Sequence, residues 1–337
     1  MKILGNKVIE MTDEQKTLLR NTASKDPDVM KEYRRALAKT LDGAFRSAVL
    51  EDDTLDGIFQ KILIPAGADT RFPLHFLAAG DEEDRIAFVM PKEGAIPNRF
   101  IEGDELYVNT YEIANSIDWP LRYARDARWD VIADAMDVFH YGFTRKLNDD
   151  GWNTLVTSAA ANGAVTDSAA ATGAFTKKLI TNLQVGMKRL SGGRQSRVTD
   201  IYLSPEALAD IRNWSSTEVD DVTRREIFQG REDGGLGNIY GVTLHELQEL
   251  GVGQRLQTYI ESAAGPNKSS WFTADQEFCV ALDLRSKPNY PFKMPIREEL
   301  GVWDDESMHR SSRAGIYGWM ELGFAVLDSR YSMIGAF

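Results

Sequence analysis

A single cysteine, Cys279, stands in a chain of 337 residues. No intrachain disulfide, Cys-rich zinc site or CxxC redox pair can be built from it, so no oxidising compartment is indicated. Histidine is nearly as scarce: His75, His140, His245 and His309 are the only four, and they fall in four separate segments. His245-Glu246 begins like a zinc-protease helix, but position 249, where HExxH needs its second histidine, is Glu249. No Gly-Lys-Ser/Thr and no GxSxG is present. Residues 234–241, Gly-Gly-Leu-Gly-Asn-Ile-Tyr-Gly, miss the GxGxxG spacing by one and precede a β-prone run, which reads as a turn or mobile loop. Long apolar runs are also missing. The least charged stretch, 151–176, consists largely of Ala, Ser, Thr, Gly and Asn, too polar for a bilayer. The first sixteen residues carry acids and no apolar core, so no signal peptide is expected.

What is present describes a globular chain: 43% hydrophobic and 27% charged residues, enough for a buried core and, at ~150 residues per domain, roughly two domains. Thirty-nine basic against 51 acidic residues give a net charge of −12, which opposes tight binding to nucleic acid. The balance is uneven, because residues 1–50 carry more Lys and Arg than Asp and Glu. A second basic island holds Lys177, Lys178, Lys188, Arg189, Arg194 and Arg197 with no acid among them. Such an island is expected to meet carboxylates, within the chain or on a neighbouring subunit, rather than phosphate.

Local signals order the chain. Thr12 with Gln15 forms a capping-box pattern, and Asp26-Pro27 is a helix start, so two helices are expected to open the chain. The stripe Met30, Tyr33, Leu37, Leu41 and Ala48 needs a surface to lie on, as in an arm that docks elsewhere. Between Ile58 and Glu112, β-prone runs at 62–64, 72–77, 86–90 and 106–111 suggest an extended hairpin. Its expected tip, 79–84, is acidic through Asp81, Glu82, Glu83 and Asp84, as suits a solvated tip or one reaching a basic neighbour. Asp118 is then expected to cap a helix running to about Leu147, where Asn148-Asp149-Asp150-Gly151 stops it. At ~1.5 Å per residue that helix spans ~43 Å, against a radius of gyration of ~15 Å for a compact domain of ~150 residues. Leu121, Ala124, Val131, Ile132, Ala135, Val138, Phe139 and Gly142 are assigned to its buried face, with Arg122 and Arg125 on others.

After the Ala/Ser/Gly stretch, a helix over 176–190 buries Leu179, Ile180, Leu183, Met187 and Leu190. Val198 to Leu203 reads as a buried strand, and Ser204-Pro205-Glu206 as the start of a further helix, together suggesting a second domain. Strands return at 292–296 and 315–327, the latter alternating through Ile316, Gly318, Met320 and Leu322 in a long shared sheet. The pairs Glu298-Glu299 and Asp304-Asp305 read as solvated turns before they read as general acids.

This order resembles the major capsid protein of tailed bacteriophages, the Hong Kong ninety-seven fold. The segments Lys92-Glu93-Gly94-Ala95-Ile96-Pro97, Tyr111 to Asp118, Tyr202 to Leu208, Gly241-Val242-Thr243-Leu244 and Gly323 to Asp328 look respectively like that family's extended-loop return, the strand entering its spine helix, its axial strand-helix step and its late strands. The resemblance implies an α+β fold in five stretches: an N-terminal arm (1–57), an extended β-hairpin loop (58–112), a peripheral domain with spine helix (113–166), an α/β axial domain (167–288) and returning peripheral strands (289–337). It implies a shell protein forming pentamers and hexamers around double-stranded DNA, assembled in the host bacterial cytoplasm and resident in the virion. The expected partners are copies of itself, a separate scaffolding protein, a portal protein and, where the phage has one, a decoration protein. No catalytic, cofactor or metal residue is expected, and no membrane. The expected assembly contacts are Asp81, Glu82, Glu83, Asp84, Lys92, Glu93, Arg122, Arg125, Lys177, Lys178, Lys188 and Arg189. The tip carries no Lys, so no covalent crosslink between subunits is expected. The arm, with its net positive charge and amphipathic helices, is expected to lie inside and contact scaffold or DNA. An encapsulin-type nanocompartment shell protein of the same fold and a carboxylate-dependent hydrolase are the alternatives.

Overall fold

In a computed structural model of the chain, the described residues are 2–4, 7–10, 13–24, 26–51, 54–65, 67–74, 104–126, 128–171, 173–190, 196–214, 236–258, 276–285, 290–305 and 312–337. They form two units of three segments each: Met1–Thr70, Val108–Gly151 and Lys293–Ala325 in the first, Arg71–Tyr107, Trp152–Phe292 and Val326–Phe337 in the second.

The first unit opens with antiparallel strands β1 (Lys2–Leu4) and β2 (Lys7–Glu10), which the sequence reading did not anticipate. The two expected helices follow, α1 (Asp13–Asn21) and α2 (Pro27–Glu51). Thr12, the expected cap of α1, lies outside the described residues, whereas Asp26 opens α2 by accepting from the Asp28 N–H at 3.1 Å. Leu37, Leu41 and Phe45 of α2 are buried. This corrects the expectation of an arm docking elsewhere. The surface under α2 belongs to its own unit, where Asp42 accepts from the Val302 N–H at 3.0 Å and Arg46 pairs with Glu299 at 2.8 Å.

Strand β3 (Gln60–Leu63) holds the start of the 62–64 run, which was expected in the hairpin but instead pairs in parallel with a late strand, β12 (Phe292–Asp304). Strands β4 (Arg71–Leu74) and β5 (Asp104–Tyr107), of the second unit, pair antiparallel from Arg71↔Tyr107 to Leu74↔Asp104. The expected tip and the run at 86–90 lie outside the described residues.

Strand β6 (Tyr111–Pro120) continues through Asp118, so Asp118 is not a helix cap. Ten consecutive pairings with β13 (Arg313–Leu322), from Tyr111↔Leu322 to Pro120↔Arg313, outweigh a local capping signal worth about 1 kcal/mol. A short α3 (Leu121–Arg125) follows, and α4 (Trp129–Ala160) is the long helix, 32 residues that pass through the expected stop at 148–151. In the first unit its buried face is Ile132, Met136, Phe139, Phe143 and Leu147. Val138, assigned to that face, is 62% exposed: Phe139 is buried as expected, but the helix is rotated so that Met136 and Phe143 join it in place of Val138. Late in the unit come β12 (Phe292–Asp304), β13 (Arg313–Leu322) and β14 (Ala325–Val326), giving a sheet of order β14-β12-β13-β6 with β3 against β12. The expected alternation of β13 is present, with Ala314, Ile316, Met320 and Leu322 buried. Gly318 is needed there because a Cβ would lie 2.9 Å from both the Gly301 carbonyl oxygen and Phe139 Cζ.

In the second unit, α4 ends by burying Trp152, Leu155, Val156 and Ala159. Then come β7 (Ala164–Thr166), α5 (Lys177–Leu190), β8 (Asp200–Leu203), α6 (Pro205–Asn213), β9 (Leu236–Ile239), β10 (Val242–Glu246), β11 (Phe278–Leu282) and β15 (Ser332–Ala336). The sheet order is β7-β15-β11-β8-β10-β9. Part of the glycine-rich run expected to be a loop is therefore strand β9; Tyr240 and Gly241, at φ 52° and 77°, make the tight turn into β10. Ser204 caps α6 as expected, accepting from the Ala207 N–H at 3.2 Å. The core joins Leu179, Ile180, Leu183 and Met187 of α5 to Leu208 and Ile211 of α6 and to Ile201, Leu203 and Met333 of the sheet.

Helix α5 approaches the sheet closely over Gly335, where a Cβ would stand 2.7 Å from Cys279 Sγ and 3.2 Å from Leu183 Cδ1. Gly335→Ala is expected to destabilise the unassembled chain by about 1–3 kcal/mol through overpacking, read as a lower urea midpoint at unchanged slope.

Candidate functional site

Of the twelve expected contact residues, Asp81, Glu82, Glu83, Asp84, Lys92 and Glu93 lie outside the described residues. Arg122 and Arg125 are exposed on α3, and the Arg122 guanidinium stands 5.2 Å from the Tyr123 ring centre. Lys188 and Arg189 are exposed in the last turn of α5. Lys177 lies 5.5 Å from the Tyr240 ring centre. Lys178 pairs with Asp167 at 3.1 Å inside the same unit, so part of the basic island finds its carboxylate within the chain. The Thr176 hydroxyl, the Ala169 N–H and Lys178 together hold the Asp167 carboxyl below its ordinary value.

Chemistry-bearing side chains are dispersed. His140 is buried on α4, its ring stacked on Phe45 at 6.2 Å, while His75 and His309 lie outside the described residues. His245 is on strand β10, not a helix, and its Nε2 is 2.8 Å from Asp200 Oδ1. The Tyr202 ring stacks on the imidazole at 4.7 Å. Burial, then the negative charge of Asp200, raises the Tyr202 phenol above its ordinary value, so it keeps its proton. Among the described residues no group of three His, Cys, Asp or Glu side chains could hold a metal ion. No described helix is long and apolar enough to cross a membrane.

The single thiol is inert by position. Burial pushes Cys279 up to about 12, so the nucleophilic thiolate is nearly absent at neutral pH. We expect no reaction with a chromogenic disulfide reagent at pH 8 on the native chain and one full equivalent after denaturation; rapid native reaction would contradict the burial.

Of the two carboxylate pairs that read as turns, Glu298, Glu299 and Asp304 lie on β12, and Asp305 directly follows it. Glu298-Glu299 and Asp304-Asp305 line a hollow of about 1010 Å³ in the first unit, together with Arg35, Lys39, Asp42, Arg46 and Trp303. Arg46 pairs with Glu299 at 2.8 Å and reaches Asp42 at 3.4 Å, so these two acids are tied to one cation. Beneath α2, burial draws the Arg34 guanidinium below its ordinary value, opposed by the charge of Asp304. The feature that sequence reasoning missed is an aromatic ladder on the exposed face of the same sheet. Trp303 stacks with Tyr317 at 5.7 Å and with Trp319 at 5.6 Å; Trp303 is 37% and Tyr317 40% exposed. Its signal lay in the alternation of β13, whose second face carries Tyr317 and Trp319.

A long helix packed under a five-stranded sheet, with a six-stranded α/β unit in the same chain, makes a mixed α+β fold that is similar to solved phage capsid structures. Against the capsid of the cyanophage P-SCSP1u the TM-score is 0.56 at 13% identity, covering 84% of this chain and 87% of that one. Against a chain of Microbacterium phage Oxtober96 it is 0.54 at 12% identity, covering 85% and 90%. Against the capsid asymmetric unit of cyanophage Pam1 it is 0.54 at 12% identity, covering 83% and 88%. No family model matches the chain, and neither does any curated protein sequence. The resemblance read from segment order thus holds at the level of the fold.

Proposed function

We propose that this chain is the major capsid protein of a tailed bacteriophage, assembling as pentamers and hexamers into an icosahedral shell around double-stranded DNA. The observation that carries this reading is the fold likeness to phage capsid structures over more than four-fifths of the chain. In this reading the unit with the long helix and five-stranded sheet acts as the peripheral domain, and the six-stranded α/β unit as the axial domain. The extended hairpin overlaps a neighbouring copy and brings Asp81 to Asp84, Lys92 and Glu93 to it, while Arg122, Arg125, Lys177, Lys178, Lys188 and Arg189 serve other contacts between copies. The shell needs no catalytic group, and a net charge of −12 keeps its lining from holding phosphate. A separate scaffolding protein, a portal and, where present, a decoration protein complete the particle. The host bacterial cytoplasm is the place of assembly, and the virion the final location.

The test is expression of the full chain, alone and with its genomic neighbours, followed by negative-stain electron microscopy. Closed shells, or rings of five and six, are expected. A monodisperse monomer in every condition would overturn the reading, and shells filled with a cargo enzyme in place of DNA would replace the phage head with a nanocompartment.

A further inference from the structure

The aromatic ladder of the first unit leaves a furrow on one side only. Trp303 of β12 lies back over Gly301, which offers no Cβ to obstruct it, and stacks against both Tyr317 and Trp319 of β13. One face of each of those two rings is thereby covered. Because β13 lies between β12 and β6, their opposite faces look towards β6. The residues in register with Trp319 and Tyr317 there are Ala114 and Ser116, both exposed and too small to cover the rings. The result is a furrow of about 560 Å³, with a floor of small residues and a wall of two aromatic faces. Among the described residues lining it, Glu112 is the only charged one, and it has no ion-pair partner. Directly opposite Glu112 on β13 stands Glu321, which accepts from the Thr110 hydroxyl and lies 3.7 Å from Arg297. Like charges in opposed cross-strand positions repel each other.

We propose that this furrow binds a free aliphatic diamine or polyamine, with one ammonium at Glu112, the methylene chain along the Trp319 face and a second ammonium over the Tyr317 ring beside the Ser116 hydroxyl. The lining presents one sign of potential. An aromatic face carries the negative part of the ring quadrupole, and the only formal charge is a carboxylate, so a phosphate is repelled and an organic cation attracted. A metal ion would find a single carboxylate there, too few oxygens for calcium or magnesium. Length fits the same ligand. Glu112 and Ser116 stand ~13 Å apart along β6, enough for two ammonium groups and the methylenes between them. An ammonium at Glu112 also relieves its repulsion with Glu321. The furrow lies within one unit of a single chain, so it is independent of the shell reading.

The experiment titrates putrescine and spermidine into the full unassembled chain carrying fluorotryptophan, followed by fluorine nuclear magnetic resonance with signals assigned from single Trp→Phe variants. A saturable shift of the Trp319 signal in the millimolar range is expected, while the signal of the buried Trp152 stays in place. Butanediol, the uncharged counterpart of putrescine, and magnesium chloride at matched ionic strength are expected to leave Trp319 unmoved. Glu112→Gln is expected to weaken binding about fivefold by removing the counter-charge. Ala114→Leu is expected to abolish the saturable shift by filling the furrow with the charge unchanged. Both positions are exposed, so neither variant is expected to lower the urea midpoint. An unsaturating response, an equal response to butanediol or magnesium, or undiminished binding by either variant would overturn the site.

Discussion

Replacing Phe139 by alanine is expected to destabilise the unassembled chain by about 3–5 kcal/mol, a large share of the roughly 5–15 kcal/mol that holds a typical domain. Phe139 is fully buried on α4, with its ring 5.4 Å from Phe45 of α2 and 5.2 Å from Phe143. Gly318 is bare so that this ring can reach the sheet. One side chain therefore contacts the long helix, the arm helix and β13, and its removal leaves a void bounded by three elements that cannot all collapse inward. Urea unfolding followed by circular dichroism checks the figure, with Val138→Ala as the control. Val138 is one residue away but exposed, so its truncation should cost no more than about 0.5 kcal/mol. Equal losses in the two variants would mean that the helix faces the sheet as its apolar stripe first suggested.

That contrast shows where the sequence was legible and where it was not. The helix α5 could be read because its four buried residues share one arc with charge opposite. The step from β8 into α6 could be read because Ser204-Pro205 is a local signal that local structure obeys. Asp118 and 148–151 misled for the opposite reason. Each is a sound local signal of about 1 kcal/mol, and each is overruled by many non-local contacts, ten strand pairings in one case and a buried helical face in the other. The hairpin β1–β2 was missed although Gly5-Asn6, a turn-forming pair, stands between its strands in the sequence.

Candidate surfaces were less legible than elements, because they are assembled across the chain. His245 and Asp200 are 45 residues apart and meet only because β10 and β8 run side by side. The aromatic ladder draws one ring from β12 and two from β13, and Gly301 matters to it only once Trp303 is seen lying over that position. By contrast, the pairing of Lys178 with Asp167 could be anticipated as a class of contact from charge alone, though its partner could not be named.

The continuation of α4 past its expected stop gives the second large effect. Trp152, one residue after Gly151, is almost fully buried and packs edge-on against Tyr202 at 4.9 Å. Trp152→Ala is expected to cost about 3–5 kcal/mol although alanine is the best helix former, which separates packing from propensity. If propensity decided the end of the helix, the variant would be at least as stable as the parent. Gly151 carries the same argument in reverse. Alanine there should gain about 1 kcal/mol of helix propensity, yet its Cβ would overlap Leu55 Cδ1 and come within 3.2 Å of Phe324 Cε1. Because Leu55 is itself buried, its side chain has little room to yield, and Gly151→Ala is expected to lower the urea midpoint. A raised midpoint in that variant, or an unchanged one in Trp152→Ala, would show that the glycine and the indole do not determine how the helix continues. A loss in both means that burial carries α4 through a sequence that would by itself have ended it.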